Sequence, residues 1–304
     1  MKTPTDFRHE SYQRHVAHYD NLVNGTDSNL LGRIWTDEST VDAWRHRRMH
    51  ELLTPFLEAH AGARWLTVGD GRYGNEAHYL MTKNVEVMAS DISDTLLKEA
   101  NASGYIKDFR KENAEALSFG DDAFDYILCK ESFHHFPRPM IAMYEMLRVA
   151  RTAVVLIEPC DPFVEATVPQ ILFRRLLNIV KRLAGLPRER HRFEEVGNYV
   201  YSVSRRELEK VAMGLNYRAI ASRGLNDWYE KGVESEKAEA GNALFRKVRL
   251  IISVQDLLMK LKLNSSCYLV AAIFKEAIPE GLRESLSGAG YDLIDLPANP
   301  HHGK

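Results

Sequence analysis

Trp65-Leu66-Thr67-Val68-Gly69-Asp70-Gly71-Arg72-Tyr73-Gly74-Asn75-Glu76 is a short apolar run that stops at a Gly-x-Gly turn and then becomes helix-prone. A strand that ends this way lets backbone amides approach a ligand and aims the following helix N-terminus at it. The helix is expected over 75–81. Working outward, a second strand over 85–89 ends at Ser90-Asp91, with Ser93 placed to cap a helix over 94–100. A weak third strand over 106–110 and a fourth over 124–129 follow. A helix over Pro139–Val149 leads to a fifth strand over 153–157. Short apolar runs alternating with helical segments are the pattern of parallel βαβ units, so the fold class is a doubly wound, Rossmann-like α/β sheet.

The flanks read differently. Residues 1–60 are polar, aromatic and helix-prone, with Tyr12, His15 and Tyr19 at i, i+3, i+7 on one face, and a second helix over 41–60 opens near Thr40. Past Glu158-Pro159 the alternation stops, and residues 163–186 form a basic amphipathic segment followed by the charged run 187–196. Its plain reading is a surface helix packed by its Leu/Ile stripe; the sharper ones are a lid or a dimer face, and a membrane-surface helix is a third. A capping box at Ser204-x-x-Glu207 opens another helix. Strands are expected over 217–222 and 266–274, and a last helix and short strand over 282–296.

Composition narrows the class. The 304 residues are 45% hydrophobic and 27% charged with a net charge of −2, which suits a globular chain with no strong pull toward nucleic acid. Cys129, Cys160 and Cys267 are too few and too scattered for a disulfide framework or a Cys-rich metal site, so a reducing, cytoplasmic setting is expected. The first residues lack the apolar core of a signal peptide, and no run approaches a membrane span.

The glycines at 69, 71 and 74 satisfy Gly-x-Gly-x-x-Gly literally, and Asp91, 22 residues past Gly69, stands where a carboxylate can accept both ribose hydroxyls. These features alone separate neither NAD nor S-adenosylmethionine. The downstream sequence does: residues 111–119 (KENAEALSF), 124–136 (FDYILCKESFHHF) and 143–159 (MYEMLRVARTAVVLIEP) resemble, in order, the motifs of class I S-adenosylmethionine-dependent methyltransferases, especially the small-molecule group near the ubiquinone-type C-methyltransferases. That resemblance covers about residues 64–160. It implies a seven-stranded sheet of order 3-2-1-4-5-7-6 with the last strand antiparallel. It also implies a helical cap over 1–60, a methyltransferase domain over 61–276 with a lid or insertion at 161–203, and a C-terminal extension over 277–304.

Carried over residue by residue, the resemblance implies that S-adenosylmethionine lies on Gly69, Asp70 and Gly71, with its ribose on Asp91. Its adenine lies against Ile92, Asn113 and Ala114, and its amino group meets the backbone carbonyl of Cys129. Thr67 and Asn113 stand where the family usually has acidic residues, and Tyr73 stands where it usually has glycine. His134 and His135 follow the fourth strand at the ligand-bearing edge and are candidate general bases, because neutral imidazole removes protons near pH 7. Glu131 beside them could orient a histidine or cap the turn. Tyr12, His15, Tyr19, Glu158, Asn198 and Tyr199 are candidates for the substrate side; the first three could also cover the cofactor, their bland reading is helix packing, and that of 191–199 a solvated charge run.

No metal site is expected, since adjacent histidines seldom aim at one point. The expected reaction is in-line methyl transfer to an oxygen of a small-molecule or glycan-like acceptor, by a monomer or a homodimer. The rivals are an NAD(P)-dependent oxidoreductase, which would need a hydride-transfer set such as Tyr-x-x-x-Lys, and a non-catalytic module that binds partners through 163–186.

Overall fold

The computed structural model describes residues 4–25, 32, 34–186, 192–194 and 198–301. Its centre is β1 (Arg64–Val68), flanked in parallel by β2 (Glu86–Asp91) and β4 (Phe124–Lys130). β3 (Asp108–Lys111) lies outside β2, and β5 (Ala150–Pro159) outside β4. β7 (Tyr268–Phe274) runs antiparallel between β5 and β6 (Ala219–Leu225), and β8 (Asp292–Asp295) adds an antiparallel edge to β6. The order 3-2-1-4-5-7-6-8 is the expected topology with one strand more.

Two apolar layers hold the sheet. One joins Trp65, Tyr126 and Phe274 to Phe56, Leu80 and Leu97, and the other joins Ile127, Val154 and Ile273 to Phe133, Met143 and Leu208. Both faces of the central strands are thus covered, which is why β4 and β5 are near-continuous apolar runs rather than alternating ones. Helices α4 (Asn75–Thr82), α5 (Thr95–Ala102), α6 (Pro139–Val149), α8 (Arg205–Gly214) and α10 (Glu280–Gly288) supply that cover.

α1 (Pro4–Gly25) and α2 (Val41–His50) precede β1. Thr40 does open α2, accepting the Ala43 N–H at 3.1 Å. The helix expected over 41–60 is broken, however. A 3-10 turn at Glu51–Leu53 intervenes before α3 (Thr54–Ala59), whose second residue is Pro55. Proline has no N–H and crowds the preceding turn, so the chain re-enters the helix there instead of continuing it.

Three further expectations fail for local reasons. Ser93 does not cap α5; Asp94 stands at the cap, and the Ser93 N–H turns back to Asp91 Oδ1 at 2.9 Å. At Ser204 only half of the capping box forms, because Glu207 accepts from Tyr201 Oη instead of returning to the backbone. The basic segment is α7 (Val168–Leu183), but no residue of it is buried. Gln170, Arg174, Asn178 and Lys181 are its half-buried side, while its Leu, Ile and Phe side chains are exposed. The Leu/Ile stripe therefore does not pack it. The remaining long helix is α9 (Ala243–Lys260). No helix among the described residues is long and apolar enough to cross a membrane.

Candidate functional site

Two cavities meet at the carboxyl ends of β1, β2 and β4. The first, about 270 Å³, is floored by Val68, Gly69, Asp91, Ile92, Asn113 and Ala114, with Tyr12 and His15 of α1 and Glu194 of the insertion over it. β1 ends because Gly69 takes φ +79°, a conformation open to glycine, and sends its N–H to Ser90 O at 2.9 Å. A Cβ on Gly69 would stand 2.6 Å from Ser132 Oγ, and one on Gly71 2.8 Å from Asp91 Cγ. Both glycines therefore keep a cradle open that a side chain would fill. Tyr73, in the position usual for glycine, adopts φ +64° itself, and Gly74 follows at +70° to cap α4.

Burial pushes the Asp91 carboxyl up to about 6, against the N–H groups of Ser93, Gly71 and Ile92 that favour its ionised form. An ionised, buried carboxylate at the end of β2 is an acceptor suited to a vicinal diol, and Ile92, Asn113 and Ala114 beside it form a slot for a flat ring. The cradle and its donor set fit S-adenosylmethionine. Asn113 Oδ1 accepts the Glu115 N–H at 2.9 Å, so its carbonyl also shapes the turn that carries the slot.

Several expected contacts do not reach this cavity. Thr67 and Asp70 are buried 1% and 2% exposed, and Thr67 donates to Asp70 Oδ2 at 2.8 Å. Asp70 also accepts from the N–H groups of Glu76 and Ala77 at the start of α4. Helix N-termini attract carboxylates, so Asp70 turns away from the ligand and braces the loop from below. The Cys129 side chain lies fully buried with its Sγ 4.0 Å from Glu158 Oε1, and burial pushes its thiol up, while the contact expected of this residue is through its backbone carbonyl. Tyr12 and His15 face the first cavity rather than the second, and the side chain of Tyr19 lies outside the described residues, as do His191 and Glu195.

The second cavity, about 550 Å³, opens between α2, α4 and the turn after β4, and shares Gly69, Ser132 and His135 with the first. Its wall is charged. Lys130, 1% exposed at its side chain, reaches Glu76 Oε1 at 2.8 Å, Glu131 Oε2 at 3.0 Å and His46 Nδ1 at 2.6 Å. Burial disfavours its charge, but the two carboxylates outweigh that and hold its pKa above the usual lysine value. The ammonium can only donate, so His46 accepts on Nδ1 and is left with its proton on Nε2, facing Asp42 at 3.6 Å. Glu131 sits at φ +50° and accepts from Tyr268 Oη at 2.8 Å, so it orients neither His134 nor His135.

His134 and His135 occupy a 3-10 turn after β4. Glu158, at the end of β5, is not a pocket wall; it is fully buried behind the turn. Its Oε1 accepts from the N–H groups of Ser132 and Phe133 at 2.8 and 2.9 Å, and its Oε2 faces His134 Nδ1 at 2.6 Å. A carboxylate only accepts, so Nδ1 carries the proton and Nε2 is the nitrogen left for the second cavity, which His134 lines. Burial lowers the imidazole pKa, but Glu158 outweighs it and the net shift is upward.

His135 pairs instead with Glu194, and its carbonyl accepts from Asn198 Nδ2 at 2.5 Å. Asn198 in turn accepts from Ser11 Oγ at 2.6 Å, clasping α1 to the insertion above the first cavity. Asn198 is thus a buried clasp, and Tyr199, ring-paired with Phe193 at 5.7 Å and 43% exposed, lines neither cavity. Among the described residues His15, His135 and Glu194 bring three ligand-type atoms within 4.8 Å of one another, a grouping only the fold assembles. Sequence reasoning missed Ser132, Lys130 and His46. Lys130 left one signal, a lysine ending an otherwise apolar central strand.

Residues 66–157 match the family described as Methyltransferase domain. The chain is 32% identical over 130 residues to 27-O-demethylrifamycin SV methyltransferase of Amycolatopsis mediterranei (40% of this chain, 47% of the relative). It is also 32% identical over 157 residues to Methyltransferase GfsG of Streptomyces halstedii (47% of this chain, 56% of the relative). The chain thus spans about half the length of the curated relatives it matches. In fold it resembles the Burkholderia thailandensis 1,6-didemethyltoxoflavin-N1-methyltransferase, with a TM-score of 0.50 at 13% identity, covering 91% of this chain and 92% of that one. The match over 66–157 spans the cradle at Gly69 and Asp91, so this stretch carries a methyltransferase domain, as the resemblance to the class I S-adenosylmethionine-dependent group implied.

Proposed function

We propose that the chain methylates a hydroxyl of a small-molecule or glycan-like acceptor held in the second cavity, with His134 as general base and Glu158 as its positioning residue. The observation that carries this reading is the 2.6 Å contact between His134 Nδ1 and Glu158 Oε2, made where the two cavities share Gly69, Ser132 and His135. S-adenosylmethionine, when bound in the first cavity, supplies an electrophilic methyl group. The protein's own work is to align the acceptor oxygen, exclude water under the α1–insertion clasp, and take the hydroxyl proton on His134 Nε2. Glu158 keeps the imidazole in the tautomer that can accept there and stabilises its charged form. The printed name of the Amycolatopsis relative refers to an oxygen position, which supports an oxygen acceptor. The cap over 1–60 and the insertion over 161–203 would select the acceptor, in a reducing, cytoplasmic setting consistent with three free cysteines.

The test is methyl transfer from labelled cofactor to a panel of hydroxylated small molecules and glycans, comparing the parent with His134→Ala. A loss of about 10²- to 10⁴-fold in turnover with unchanged S-adenosylhomocysteine affinity supports the assignment. Parental turnover across pH 6 to 9 overturns it.

A further inference from the structure

α7 is mounted with its polar side inward. At 100° per residue, Leu172, Phe173, Leu176, Ile179, Val180 and Leu183 fall in one stripe, and these side chains are 53–83% exposed. The opposite stripe of Gln170, Arg174, Asn178 and Lys181 is the half-buried one. A helix that stabilises its own domain does the reverse, so this apolar face is built for something outside the described residues.

The face continues. Leu250, Val254, Leu257 and Leu261 recur at helical spacing along α9 and just past its end, and are 46–65% exposed. The start of α7 is tied to the chain just after α9: Thr167 Oγ1 donates to Leu263 O at 3.1 Å, and Gln170 Oε1 accepts the Ser265 N–H at 3.1 Å. The start of α7 thus lies beside the chain that leaves α9, with an outward apolar stripe on each helix.

Charge says what covers it. Residues 166–186 hold Arg174, Arg175, Lys181 and Arg182 and no acidic residue, in a chain whose net charge is −2. Residues 243–263 hold Arg246, Lys247, Arg249, Lys260 and Lys262 against Asp256 alone, and Asp256 accepts from Asn226 at 2.9 Å. Lys247 is paired with Glu230, but a second copy packed on this face would set the remaining cations of the two helices against their equivalents, a costly juxtaposition. An anionic bilayer meets both demands. The apolar stripe enters the boundary between headgroups and acyl chains, and Arg175 and Arg182, the exposed cations of α7, reach up to lipid phosphates.

We propose that α7, with the outward stripe of α9, seats the protein on an anionic phospholipid surface. The full chain is sedimented with vesicles of phosphatidylcholine alone and of phosphatidylcholine mixed with phosphatidylglycerol. Binding to the mixed vesicles should exceed that to the neutral ones by about tenfold or more and weaken with added salt. Phe173→Asp/Leu176→Asp alters only exposed side chains, so its thermal denaturation should match the parent's while vesicle binding falls about tenfold or more. Arg175→Glu/Arg182→Glu should erase the preference for the anionic vesicles. Failure to bind the mixed vesicles overturns the proposal, as does parental binding by Phe173→Asp/Leu176→Asp. A dimer in sedimentation equilibrium that this variant dissociates would assign the face to a second copy and equally overturn it.

Discussion

The two cavities are built by different means. The floor of the first is made of strand ends, a glycine and the Asp91 carboxylate from consecutive βα units between Val68 and Ala114, with α1, the turn after β4 and Glu194 closing it above. The second is walled by charged side chains from α2, α4 and the turn after β4, converging from positions as distant as His46 and Lys130. The difference teaches that a cofactor common to a family is held by backbone shape, which local sequence encodes. An acceptor particular to one protein is held by side chains that only packing brings together.

The largest effect should come from breaking the second wall. Lys130→Met leaves Glu76 and Glu131 buried without their shared cation, and should cost about 3–5 kcal/mol of stability in chemical denaturation. The first cavity should instead fail locally. Gly69→Ala places a methyl group against Ser132 at a positive φ, and should weaken S-adenosylhomocysteine binding by about tenfold or more in calorimetry, with a smaller loss of stability.

A pH series sharpens the same contrast. The Asp91 pKa is raised to about 6, so its ionised form, the one that accepts ribose hydroxyls, prevails above that pH. Affinity for S-adenosylhomocysteine should therefore fall as pH drops through about 6, by roughly tenfold per unit at most, and Asp91→Asn should be flat over that range. The smallest effect belongs to Glu158→Gln. Glu158 holds the His134 pKa up, so removing its charge should move the acid limb of kcat/KM to lower pH. An unmoved limb would separate Glu158 from the base.

Legibility followed the same division. β4 and α6 were readable because the apolar stretch Tyr126–Cys129 and Pro139 at the helix start leave little choice. The unmade box at Glu207 was not, since it turned on Tyr201, which the Ser-x-x-Glu pattern does not contain, whereas the break near Pro55 was carried by the proline itself. Asp91, Ile92, Asn113 and Ala114 were legible as residues of one site because strand ends bring them together, and they line the first cavity. Thr67 and Asp70 misled because a strand-end side chain can point into a loop as easily as into a cavity. Glu158 was placed at the right edge of the sheet but on the wrong side of His134.

The sequence by itself determined the α/β alternation, the strand order implied by its motifs, the glycine cradle and the carboxylate at Asp91, because each depends on residues close in the chain. Tertiary structure alone decided that His134 and His135 part company, one backed by Glu158 and the other by Glu194. It alone set Lys130 among three partners and turned the apolar stripe of α7 outward. The physical reason is that hydrogen-bond partners and burial are properties of packed elements, which a one-dimensional pattern of polarity does not contain.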